Sequence, residues 1–192
     1  MLISKKTPLK HILSLGAECN NCGMCCKNGQ GFVLEDEIRK IAEQLKISEE
    51  DLLKNYLEKT MLFNKEILKT KIKKSSEKNK IPVGECIFYD DEKKCLIHEA
   101  KPLFCRIVNC KPYSSDTIQW YFLNYVLDTE DPEAIRQWAH FIKYNEPIPG
   151  AELKELIDEE KIQKIMNFEL LNKTQMRIES LKYAIQNIIK KQ

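Results

Sequence analysis

The residues in this chain with the clearest chemistry are eight cysteines, and they fall in two groups. Cys19, Cys22, Cys25 and Cys26 lie within "AECNNCGMCCKNG"; Cys86, Cys95, Cys105 and Cys110 follow after a long insert. None precedes Cys19, none lies between the groups, and none follows Cys110. A chain using cysteine as a small core hydrophobe would scatter it. In Cys19-x2-Cys22, a tight turn can aim both thiolates at one ion, and Gly23 eases that turn. Adding Cys25 gives C-x2-C-x2-C, a spacing found in loops that wrap one corner of an iron–sulfur cube. Cys26 is the surplus member. Adjacent side chains ordinarily diverge, so the expectation is that Cys25 and Cys26 serve two directions, one of them toward the downstream group.

That group, Cys86-x8-Cys95-x9-Cys105-x4-Cys110, is too widely spaced for a simple knuckle and suits ligands hung on a strand pair and the loop after it. His98 follows Cys95 at a workable ligand spacing, against the plainer alternative of a strand histidine with a satisfied hydrogen bond. His11 and His140 have no partner nearby in sequence.

Compartment decides between metal and disulfides. The N-terminus has lysines but only a broken apolar run, without the roughly 7–15 successive apolar residues of a secretory signal. No window approaches the roughly 18 apolar residues of a membrane span. The expectation is a cytoplasmic protein with no membrane association, whose thiols stay reduced and ligate metal. Net charge is +2, which offers no strongly basic face, so nucleic acid is not indicated as a partner.

The elements that must position these thiols read as mostly helical. At 192 residues, 43% hydrophobic and 31% charged, with only 6 glycines and 7 prolines, the chain suits one helix-rich domain with an appendage. "LEDEIRKIAEQL" sets Ile38, Ile41, Ala42 and Leu45 on one helical face. "ISEEDLLKNYLEKTML" follows, with Ser48 as N-cap, Asp51 three residues on, and an apolar stripe of Leu52, Leu53, Tyr56 and Leu57. "KTKIKKSSEKNK" reads as a solvated hairpin or loop. "CIFYDDEKKCLIH" reads as strands Ile87–Tyr89 and Leu96–His98 around a polar turn, and Pro102 limits regular structure before Cys105.

Beyond Pro112, "SDTIQWYFLNYVLD" places Ile118, Tyr121, Phe122, Tyr125 and Val126 at helical spacing. "DPEAIRQWAHFIKYN" opens with Asp131 as N-cap and Pro132 at the first helical position. Helical spacing without interleaved arginines makes Trp120, Trp138, Phe141 and Tyr144 core residues and not a base-stacking platform. One long or two shorter amphipathic helices then run to the end, with Leu181, Ala184, Ile185 and Ile188 on a face.

The expected fold class is α+β, mostly α. It is a small cysteine-rich, metal-stapled domain (1–115) with a short β-hairpin and an inserted helical pair (33–80), followed by a helical C-terminal tail (116–192). That tail either packs on the cysteine domain or serves a protein partner.

"CNNCGMCC" followed by "GECIFYDDEKKCLIHEAKPLFCRIV" resembles the CxxCxxCC zinc- or iron-chelating cysteine-cluster proteins, the YkgJ-like family. The resemblance covers roughly residues 17 to 110, helical insert included. It implies that Cys19, Cys22, Cys25, Cys26, Cys86, Cys95 and Cys105 are the metal-binding set, with Arg106 in the usual "CR" position; Cys110 falls where no fixed family residue is expected. The implied cofactor is zinc or an iron–sulfur cluster, [4Fe–4S] if iron. Four thiolates around either leave a net 2− unit, which Lys101 and Arg106 could offset or tune through hydrogen bonds to sulfur. Alternatively Arg106 pairs with a surface carboxylate.

Two function classes follow. The first is a non-catalytic metal-binding protein with closed thiolate coordination. The second is an iron–sulfur-dependent protein-modifying or electron-transfer enzyme, by analogy with flagellin lysine methylases, which contain a similar cluster. The sequence shows no nucleotide-binding glycine loop, no C-x3-C-x2-C spacing and no serine or histidine triad candidate.

Overall fold

A computed structural model describes residues 2–17, 22–73 and 84–171. The fold mixes helices with small sheets. Helix α1 spans Leu9–Gly16 and α2 spans Met24–Asn28. Strand β1 (Phe32–Val33) leads through a 3-10 turn at Glu35–Glu37 into α3 (Ile38–Leu45) and α4 (Glu49–Asn55). The helical pair forms for the reasons legible in its sequence. Ile41 and Ala42 are buried with Ile38 and Leu45 packed beside them, and the Ser48 hydroxyl accepts the Asp51 N–H at 3.0 Å.

The second helix stops earlier than its apolar stripe suggests. It ends at Asn55, and Leu57–Leu62 is instead strand β2, turning back into β3 at Lys65–Thr70. The insert is therefore a helical pair plus a β-hairpin, a correction to the all-helical expectation. With β1 the hairpin makes an antiparallel sheet in the order β1-β3-β2, in register Leu57↔Thr70 to Leu62↔Lys65 and Phe32↔Lys69.

Tertiary packing explains the switch from helix to strand. The two-residue turn Phe63-Asn64 has φ of 46° and 56°, the doubly left-handed geometry of a tight hairpin. A bulky residue tolerates this poorly on its own. Phe63 is buried, with ring centroids 5.4 Å from Phe122, 5.2 Å from Trp138 and 5.7 Å from Phe141. The Asn64 amide donates to Asp131 at 2.6 Å, and its backbone N–H to Gln137 at 3.0 Å. Contacts 59 to 78 residues away hold a turn that local propensity would not choose.

Beyond Thr70 the chain pairs with itself again. Ile72 bridges Cys86, Lys73 N–H donates to Glu85 C=O at 2.7 Å, and Ile87 N–H to Lys71 C=O at 2.9 Å. Residues 74–83, where a solvated hairpin or loop was expected, lie outside the described residues. A second small hairpin follows, β4 (Tyr89–Asp90) against β5 (Lys94–Cys95). Its ladder sits nearer the turn than the strands expected at Ile87–Tyr89 and Leu96–His98. The cause is an Asx turn: Asp90 Oδ1 accepts the N–H groups of Glu92 at 2.9 Å and Lys93 at 2.7 Å, pulling the pairing inward. His98 lies in a 3-10 turn, His98–Ala100, not in a strand.

Helix α5 (Leu103–Ile107) carries Cys105, and α6 (Ser114–Tyr121) continues through a π-helical turn at Phe122–Val126. Helix α7 spans Pro132–Tyr144, its Asp131 cap accepting the Glu133 N–H at 2.8 Å; α8 (Leu153–Leu156) and α9 (Glu159–Met166) complete the described chain. The helical face expected at Leu181–Ile188 lies outside it. Trp120, Tyr121, Phe122, Val126 and Trp138 join Ile12 of α1 and Ile107 of α5 in one hydrophobic core. Phe141 packs against it, whereas Tyr144 is 69% exposed and is not a core residue. A second core joins α3 and α4 to Leu57, Phe88 and Ile97, with Cys86 and Cys95 packed on its edge.

Candidate metal centre

The short helix α2 carries Cys25 and Cys26 on its first turn, starting from Gly23 at φ 79°. That conformation favours glycine, and a Cβ there would also meet the Tyr89 ring at 2.6 Å. Gly23 is thus the turn residue its place in the motif suggests, and it lets β4 close over α2. Lys27 reaches back to Asp91 at 3.0 Å and lies 5.2 Å over the Tyr89 ring. Both partners of that ion pair are solvent-exposed, so it orients the elements more than it stabilises them.

The two cysteine groups meet along the backbone. Cys86 N–H donates to Cys26 C=O at 2.7 Å. Cys95 stands on β5 and Cys105 on α5. All seven described cysteines, Cys22, Cys25, Cys26, Cys86, Cys95, Cys105 and Cys110, line a single cavity of about 430 Å³. Each is a free thiol. Cys22, Cys25 and Cys110 are exposed, and Cys26, Cys86, Cys95 and Cys105 are half-buried. Cys19 lies outside the described residues.

Electrostatics tie the inner thiols together. The Cys26 thiol hydrogen-bonds to Cys25 and holds it down to about 6, while the same bond, with burial, pushes Cys26 up. Both members of the adjacent pair line the one cavity that also holds the downstream cysteines. Burial raises Cys105, and the neighbouring Cys86, Cys95 and Cys25 raise it further. The Cys105 residue keeps some exposure as a whole, but its thiol is enclosed: a Cβ on Gly31 would collide with its sulfur. Burial likewise raises Cys95, and Lys101 opposes the rise at each of these positions. Cys26, Cys95 and Cys105 thus resist ionisation by themselves, and a bound cation would reverse that preference.

Supporting groups went unread in the sequence. Thr70 is 1% exposed; its Oγ1 accepts Gly31 N–H at 3.0 Å and the Cys86 thiol at 3.5 Å. Glu37 accepts Leu34 N–H at 2.9 Å and Leu103 N–H at 2.5 Å, tying the start of α3 to the helix that carries Cys105. Burial raises its carboxyl.

Other sequence candidates fall elsewhere. Arg106 is exposed and lines an adjoining pocket with Lys101 and Cys105. No ion pair joins it to a described carboxylate, although its charge lowers Glu37. His98 is on that adjoining pocket too, 3.1 Å from Glu99 and outside the thiol cavity. Lys101 lines both spaces.

The donor set fits a thiophilic centre. No His, Asp or Glu among the described residues lines the cavity, which disfavours calcium or magnesium and suits zinc or iron–sulfur. Among the described residues no group of three or more His, Cys, Asp or Glu side chains is drawn up as a finished coordination shell. The fit rests on ligand chemistry and a shared cavity.

Comparison with known proteins agrees. Residues 18–122, more than half the chain, match the CxxCxxCC family model, described as "Putative zinc- or iron-chelating domain". The chain belongs to this family. An uncharacterized protein from Methanocaldococcus jannaschii is 33% identical over 105 residues, covering 54% of this chain and 48% of that protein. The chain thus spans about half the length of this curated relative. No solved structure matches. Among the described residues no helix is long and apolar enough to cross a membrane.

Proposed function

We propose that this chain binds metal through thiolates, holding zinc or an iron–sulfur cluster between its two cysteine groups. The observation that carries this reading is the common cavity: cysteines separated by about sixty residues line one space with no Asp, Glu or His among its described lining residues. Cys25, Cys26, Cys86, Cys95 and Cys105 would form the principal set, with Cys19 and Cys22 contributing through the family motif. Cys110 stands at the edge of the cavity as an accessory.

A bound ion would supply what the chain lacks, a charge that keeps enclosed thiols ionised and a cross-link between α2, β5 and α5. Its binding energy would then be part of folding. Lys101, on the cavity wall, would offset the surplus negative charge of a thiolate set; in the iron case that would tune the reduction potential.

Anaerobic purification tests the reading, with iron, zinc and acid-labile sulfide measured per chain and a visible spectrum recorded. Stoichiometric zinc in a colourless protein, or iron with sulfide and a thiolate-to-iron absorption band, supports it and identifies the metal. A folded protein with neither metal contradicts it.

A further inference from the structure

The pocket beside the thiol cavity has a different chemistry. It encloses about 430 Å³ between α1, the first turns of α3, the His98 turn and α5. Lys40 and Arg106, both exposed, bring two fixed positive charges to it from separate helices, and Lys101, which has a partner of its own, brings a third. Glu99 is the single carboxylate among its described lining residues, and it stands 3.1 Å from His98. Cations gathered around one concavity repel one another, and an anion placed among them relieves that repulsion.

The backbone beneath is fixed. Gly16, at the end of α1, presses so closely on the Arg106 carbonyl that a Cβ would collide with it. The Thr117 hydroxyl, which donates to the Ser114 carbonyl at 2.9 Å, also lies 3.3 Å from the next carbonyl, that of Ile107. Arg106 thus rises from a seated helix, and its planar fork suits a carboxylate or phosphate, with lysines supplying point charges. Lys101 and Cys105 form a wall common to this pocket and the thiol cavity.

We propose that this pocket binds the oxyanion group of a small molecule, a phosphate or a carboxylate, against the wall it shares with the thiol cavity. This goes beyond the metal reading and needs no choice between zinc and iron. The ligand's charged end meets Lys40 and Arg106, and Lys101 and Cys105 form the wall behind it.

The test is calorimetric titration of the purified full-length protein, metal included, with inorganic phosphate and separately with succinate at constant ionic strength. Saturable one-site binding of either anion is expected, and the one that binds identifies the source. Lys40→Glu, a change at an exposed residue outside the thiol cavity, weakens that binding at least about tenfold and leaves metal content at the wild-type level. Should that variant fail to accumulate, Lys40→Gln gives the same reading with a loss of about threefold. The proposal is overturned if neither anion saturates, or if the Lys40 variant that accumulates binds as wild type. Metal content, measured on the same samples, reports on the metal reading separately.

Discussion

Cys86 donates its backbone N–H to the carbonyl of Cys26 at 2.7 Å, so the two cysteine groups are joined by the main chain before any side chain is considered. The bond sets α2 against the strand-like segment 85–87. It makes the convergence of the thiols a property of the fold. Removing individual sulfurs should therefore change metal content according to their place in the cavity. Cys26→Ser and Cys105→Ser should each lose most bound metal, measured per chain on anaerobically purified protein. Cys110→Ser, at an exposed position, should retain most of it.

Gly31 is where space is tightest. A Cβ there would strike the Cys105 sulfur, so Gly31→Ala must displace the thiol or the β1–β3 pairing. The expected cost is about 1–3 kcal/mol in denaturant unfolding, together with a fall in metal content. Wild-type stability and loading would show that the thiol moves aside freely.

Thr70 holds the same corner by hydrogen bonding. In Thr70→Val the shape is kept but the Gly31 N–H, 3.0 Å from the hydroxyl, loses its acceptor. A buried unsatisfied donor costs about 1–3 kcal/mol, so the unfolding midpoint should drop accordingly. Thr70→Ser, which restores an acceptor, should recover much of the loss.

Glu37 predicts a pH dependence. Burial raises its carboxyl above the ordinary value, so the folded chain holds that proton at pH values where the unfolded chain has released it. Its contribution to stability is then full below the unfolded carboxyl value and declines as pH rises toward the raised folded value. Glu37→Gln, which cannot accept from both Leu34 and Leu103, should be less stable than wild type by about 1–3 kcal/mol. The gap should narrow as pH rises across the weakly acidic range. Unfolding curves for both proteins across that range provide the check, and a gap that widens with pH contradicts this assignment.

The parts of the fold legible in sequence were those written locally. Ser48 and Asp131-Pro132 announce helix starts through their own side chains, and both are used as read. The cysteines were legible because thiols in two dense groups have few other uses. The β2–β3 hairpin was not legible, since Leu52, Leu53, Tyr56 and Leu57 repeat at helical spacing and Phe63-Asn64 contains no glycine. Aromatic packing from α7 and the π-helical turn holds that turn, and no local rule encodes such a distant contact. Gly31, Thr70 and Glu37 escaped notice for the same reason. Each matters through a partner at least 39 residues away: Thr70 for Gly31, and Leu103 for Glu37.

The central claim is that sulfurs from both groups hold one bound metal unit, and alkylation mapping tests it most directly. Natively purified protein is alkylated anaerobically with and without a metal chelator, and each cysteine is located by mass spectrometry. The account predicts that Cys26 and Cys105 are both protected at first and become reactive together as metal is withdrawn. Free alkylation of either residue in metal-loaded protein, or a disulfide between the groups, would contradict it.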